Sequence, residues 1–149
     1  LSVWRGKFNH TRGTVTLDKA AGLGTVDVTV DMTSADFGQE QLNKGARGKD
    51  LFETAKYPQA RYTGKLVDFV NGAPTRVTGK LTLHGVTHPL DLKIDSFKCM
   101  QHPVFKREVC GADALATFRR DTFGIDAGKD YGFGMDVTLR IQVEAIAAK

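Results

Sequence analysis

Histidine, cysteine and clustered charge are the side chains of this 149-residue chain that offer chemistry. The four histidines are His10, His84, His88 and His102. His84 and His88 flank the turn of "LTLHGVTHPLDLKI" (81–94), close enough to meet. Zinc would need three or four ligands in one geometry, so water-exposed turn histidines are the better reading and no metal site is assigned. Cys99 and Cys110 enclose "CMQHPVFKREVC" with only His102 between them. That spacing is unlike a zinc knuckle. A disulfide is favoured over two free thiols, and closing so short a loop is worth roughly 3 kcal/mol or slightly less. Such a bond implies an oxidising compartment. For hydrolysis, neither GxSxG nor HExxH occurs. "GKDYGFG" resembles a phosphate loop only loosely, because it lacks the GK[ST] ending. No catalytic residue is therefore assigned. An enzyme working in an apolar pocket would need an inward carboxylate, such as Asp136 or Glu144 turned by a bulge.

These residues must be positioned by strands. Apolar and polar residues alternate with period 2 over 1–8, 13–18, 25–32, 59–70, 75–84, 88–97, 111–120 and 134–146, as in half-buried antiparallel strands. "AAGLGT", "NGAPT", "HGVTHP" and "DAGKDYGFG" supply turns between them. Alternation fails over 33–58. There Ser34 and Asp50 are candidate N-caps, and "LFETA" carries Glu53 at the capping-box position. A short helical excursion around 34–57 is expected. The length and the lack of a linker indicate one domain, 1–149. Eight antiparallel strands in one domain leave a sandwich or a barrel. Closure into a barrel is favoured, since it removes sheet edges.

Taking the apolar phase as inward, several walls are small: Ala60, Gly64, Gly79, Ala112, Ala114 and Ala116. Interiors pack at a density near ~0.75, so small walls need large partners or leave a cavity. An eight-stranded barrel is just wide enough for one small ligand. The residues expected to line such a cavity are Val28, Val30, Ala60, Tyr62, Leu66, Leu81, Leu83, Leu92, Ala114, Ala116, Phe118, Leu139 and Ile141. The competing reading is a plug made by Leu51 and Phe52 on a helix over 50–56. Arg61, Lys65, Arg119, Arg120 and the histidines are candidates for a polar head group at the mouth.

The net charge of +4 and pI near 9.1 describe a mildly basic surface. Trp4-Arg5 and Phe118-Arg119-Arg120 fall on alternating strands rather than in a stripe, so no nucleic-acid partner is expected. No stretch approaches the ~20 apolar residues of a spanning helix.

Whole segments carry a resemblance. "GKLTLHGVTHPLDLKI" is similar to the signature hairpin of the YceI-like family. "VDVTVDMTSADFG", "DLFETAKYPQARYTG", "CGADALATFRRDTFGID" and "VTLRIQVEA" resemble further family segments, in the same order, from about Gly6 onward. The resemblance implies an extended eight-stranded antiparallel barrel of lipocalin-like architecture. It also implies a non-enzymatic carrier of a long apolar amphiphile: a polyisoprenoid, an isoprenoid quinone or a fatty-acid derivative. No other cofactor is implied. Family members are often exported to the bacterial periplasm, and several are dimeric, so the resemblance implies a periplasmic protein and leaves a homodimer open. Members usually carry a further strand before "LSVWRGKF", and a missing N-terminal strand is an expectation here.

Overall fold

Alternation of apolar and polar residues, punctuated by turns, builds a mostly β architecture in the computed structural model, which describes residues 2–148. In chain order the strands are β1 (Lys7–Phe8), β2 (Thr11–Asp18), β3 (Leu23–Asp31) and β4 (Ala35–Asp36). After helix α1 (Glu40–Arg47) come β5 (Gln59–Val67), β6 (Arg76–Leu83), β7 (Val86–Pro89), β8 (Leu92–Gln101), β9 (Glu108–Arg119) and β10 (Asp136–Ile146). Eight of the strands form one antiparallel sheet in the order β10-β9-β8-β6-β5-β3-β2, with β7 also on β6. The sheet curls into a half-barrel. Its edges, β2 and β10, do not pair with each other among the described residues.

The predicted first strand, 1–8, forms only at Lys7–Phe8, where it pairs with β4 outside the main sheet. Leu1 lies outside the described residues. The predicted strand 88–97 divides at Leu90–Asp91 into β7 and β8, so β6 is shared between two neighbours. β8 and β9 also run well into the stretch read as a loop: only 102–107 turn, and Cys99 sits opposite Cys110.

The helix lies within the expected excursion 34–57, but spans Glu40–Arg47 and not 50–56. Glu53 has φ of 47°, in the left-handed region, which ends helical geometry across "LFETA". Ser34 does not cap α1: its hydroxyl donates to the Asp31 carbonyl and accepts from His10 N–H. α1 is anchored instead by buried Asn43, whose Oδ1 accepts from Phe37 N–H at 2.6 Å and whose Nδ2 donates to Asp36. Ala46 is buried beside it.

Candidate functional site

Register identifies the inner face, because directly paired residues point to the same side of a sheet. One row runs Gly13–Val28–Tyr62–Leu81. At the other edge, Leu139 pairs with Ala116, and Ile141 with Ala114, whose partner on its other side is Ile94. A bulge at Asp95 shifts the register between Ile94 and Ser96. It moves the inward phase of β8 onto Phe97 and Cys99, which face Ala112 and Cys110. The bulge therefore places the two sulfurs on one face, where Cys99 and Cys110 form a disulfide.

Of the residues expected to line a cavity, Ala60, Tyr62, Leu66, Leu81, Leu83, Leu92 and Ala116 are buried in one apolar cluster. Val30, Ala114, Phe118, Leu139 and Ile141 pack against that cluster and are half-buried. Val28 is half-buried in the row above and lies outside it.

One end of the half-barrel is packed solid. Phe123, 2% exposed, comes from the segment after β9 and meets Phe118 and His88 edge-on, each at 5.3 Å between centroids. Ile125, Met135, Leu90 and Leu83 are buried at this end too. Leu51 and Phe52 pack onto the same cluster from a turn, so the expected plug exists in part, without its helix. Gly124, at φ 77°, ends the single 3-10 turn that carries Phe123. Sequence reading missed Phe123 as a closing residue. Its signal is an apolar pair, Phe123 and Ile125, inside a turn-rich stretch where an exposed loop would be polar.

The remainder of the inner face is open. Val15 on β2 and Val143 on β10 point inward, yet remain 39% and 40% exposed on the two rims of the unpaired seam. The inner surface is thus a packed end continuing into an apolar trough. A separate depression of about 570 Å³ lies on the outer face, among Thr25, Asp27, Thr63, Lys65, Thr78 and Lys80.

The polar candidates are mostly engaged in structural pairing. On the outer face, Arg61 donates to both carboxylate oxygens of Asp27 at 3.0 and 2.7 Å, and the bond holds that carboxyl below its ordinary value. Lys65 lies in the outer depression. Arg120 donates to the carbonyls of Ile125, Ala127 and Gly134, which ties the closing segment into a lid. Arg119 grips Asp121 at 3.1 and 2.9 Å, and Lys129 adds a contact at 2.9 Å. Those bonds hold the Asp121 carboxyl well below the usual carboxylate range.

His84 and His88 are not exposed turn residues. Gly85, and His84 itself at φ 56°, form the tight β6–β7 turn. His84 Nδ1 lies 3.1 Å from the Phe123 carbonyl, and its Nε2 lies 3.7 Å from Glu53. The two histidines thus meet through Phe123, one at its carbonyl and one at its ring. Asp136 and Glu144 are exposed and lie opposite Arg119 and Gly111 in an unbroken β9–β10 register. No bulge turns them inward. The triplet Cys99, Glu108 and Cys110 offers no metal site, because both thiols are in the disulfide.

Among the described residues no helix is long and apolar enough to cross a membrane. The YceI-like domain family matches residues 1–145. Protein YceI of Escherichia coli O17:K52:H18 (strain UMN026 / ExPEC) is 40% identical over 146 residues, which cover 97% of this chain and 74% of that protein. The crystal structure of the Campylobacter jejuni YceI protein has a TM-score of 0.85 at 23% identity and matches 100% of this chain and 88% of that one. A polyisoprenoid binding domain from Saccharophagus degradans, implicated in plant cell wall breakdown, has a TM-score of 0.66 at 20% identity, covering 96% of this chain and 85% of its own. With its β half-barrel, its lid and a family match over nearly its full length, this chain belongs to the YceI-like family.

Proposed function

We propose that the trough binds one long apolar chain, of polyisoprenoid, isoprenoid-quinone or fatty-acyl type, and that the protein is a carrier rather than an enzyme. The observation that carries this reading is the pair of inward-facing yet exposed valines, Val15 and Val143, on opposite rims of the seam. An apolar face left wet costs roughly 25 cal/mol per Å², which a bound hydrocarbon recovers at about 0.8 kcal/mol per methylene. Several isoprene units suffice for tight binding after association costs. Val28, Val30, Ala114, Ala116, Leu139 and Ile141 would line the chain, with Ala60, Tyr62, Leu66, Leu81, Leu83, Leu92 and Phe118 behind them or at the closed end. The shared fold of the Saccharophagus degradans polyisoprenoid binding domain supports the ligand class. The outward placement of Asp136 and Glu144 supports binding over catalysis. The disulfide supports residence in an oxidising compartment such as the periplasm. The β2 and β10 edges, unpaired among the described residues, leave room for a homodimer of the kind several family members form.

Titration with a fluorescent polyprenyl probe tests the reading. Saturable binding, competed by unlabelled polyprenol and weakened about tenfold by Ala114→Phe, is expected from loss of buried apolar contact. Unchanged affinity in Ala114→Phe and Ala116→Phe, with both variants folded, would overturn the assignment of these residues.

A further inference from the structure

Three turns gather at the end of the half-barrel remote from the lid. Lys19 joins them. Its Nζ pairs with Glu108 Oε2 at 3.0 Å, across from the β2–β3 turn to the base of the β8–β9 hairpin. Its Cβ also lies 3.9 Å from where a side chain on Gly72 of the β5–β6 turn would begin. The lid and this cluster therefore occupy opposite ends of β9. Each turn presents an apolar residue to water: Leu23 is 64% exposed, Val70 58%, Val104 74% and Phe105 51%. Met100 and Ile146 continue the exposed apolar surface along one outer row, through Val109.

The most prominent turn, 102–107, is held in shape. His102 Nδ1 accepts from the backbone N–H of both Val104 and Phe105, at 3.1 and 3.2 Å. Its ring stacks on Phe105 at 4.5 Å, and the Arg107 guanidinium lies over the same Phe105 ring at 5.9 Å. His102 and Arg107 close the turn through a 2.7 Å backbone bond, and the Cys99–Cys110 bond clamps the stem below it. The exposed Phe105 is thus fixed outward rather than folded back onto the sheet.

Charge completes the pattern. Lys98 and Lys106 make no ion pair among the described residues, and Arg107 spends one nitrogen on the Ala147 carbonyl. Glu108, the acid within this turn's base, is already neutralised by Lys19. An apolar apex with cationic shoulders matches the headgroup boundary of an anionic bilayer. Aromatic and aliphatic tips enter the acyl edge there, while nearby Lys and Arg are drawn by the negative surface potential.

We propose that this end of the molecule, led by Val104 and Phe105 with Lys106 and Arg107 in the same turn and Lys98 on the stem below, docks on the surface of an anionic phospholipid bilayer. The proposal is independent of what the trough carries, because it rests on the outer tip and not on the inner face.

Vesicle flotation tests it without any cargo. Vesicles of phosphatidylcholine containing about one-third phosphatidylglycerol should carry the protein upward at low salt, with less carried as salt screens the charges. Pure phosphatidylcholine vesicles should carry far less. Val104→Ser with Phe105→Ser should weaken anionic-vesicle binding about tenfold, the order set by one buried aromatic side chain. Lys98→Glu with Lys106→Glu should abolish the preference for phosphatidylglycerol. Circular dichroism checks that both variants fold. The proposal is overturned by absence of flotation on anionic vesicles, by equal flotation of the folded tip variants, or by sedimentation showing that the tip residues instead join two copies of the chain.

Discussion

Gly79 lies directly beneath the ring of Tyr62: a Cβ at position 79 would stand 2.6 Å from the phenolic oxygen and 2.7 Å from Cζ. The ring occupies the space that a side chain would fill, and its hydroxyl donates to the Leu90 carbonyl at 2.7 Å. Gly79→Ala must therefore push the ring aside, disturbing that buried bond, and also crowd the Thr63 carbonyl oxygen across the strand pair. Overpacking of this kind costs typically about 1–3 kcal/mol. Urea denaturation should show the midpoint falling with the slope unchanged.

Burial, aided by the negative charge of Asp91, pushes the Tyr62 phenol up to about 12. The unfolded chain ionises near ~10. The folded state therefore favours the neutral phenol. Its contribution to stability is complete below ~10 and declines as pH rises from there through about 12. Phenolate absorbance should show one of the three tyrosines ionising only as unfolding begins. Tyr62→Phe should remove that late phase. It should also lower stability by about 1–3 kcal/mol, since the Leu90 carbonyl loses its donor.

The lid depends on Phe123 and on the Arg120 bonds to three carbonyls. Phe123→Ala should cost about 3–5 kcal/mol, the usual loss for a buried aromatic side chain. Phe123→Leu should cost less and keep the fold. Arg120→Ala should speed amide exchange across 120–135 while β3, β5 and β6 stay protected. Asp121, with its carboxyl held low by Arg119 and Lys129, contributes above the ordinary carboxylate range, and that support is lost as pH falls through its depressed value. Protection of the same segment relative to the intrinsic exchange rate should therefore fall in acid, and less so in Asp121→Asn.

The disulfide spans 11 positions of sequence at the far end of the sheet. Cys99→Ser with Cys110→Ser should lower stability by about 2–3 kcal/mol on loop-closure grounds. Denaturation of the wild type with and without reductant should reproduce the same difference.

The strands and their inward phases were legible because alternation has one cause, a sheet wet on one side. The small residues were misread in part. Gly79 and Gly64 look like the walls of a void, but Gly79 accommodates Tyr62, and a Cβ on Gly64 would meet Val77 Cγ1 at 2.8 Å. Which neighbour fills a gap depends on cross-strand register, and no single strand carries that information. The Asp95 bulge was hidden for the same reason: one extra residue reverses the phase of β8, leaving composition unchanged. The helix stops short of 50–56 because the capping signal at Asp50 is overridden by a left-handed Glu53, whose N–H bonds back to the Gly48 carbonyl in a local turn. Phe123 escaped because period-2 reasoning says nothing about a turn that folds inward.

The central claim is that the trough between β2 and β10 holds hydrocarbon. Organic extraction of the protein purified from bacterial cells, followed by mass spectrometry, tests it most directly. The account predicts a long-chain isoprenoid or acyl species near one per chain, depleted in Ala114→Phe. An extract with no such species, from folded protein that also fails to take up added polyprenol, would contradict it.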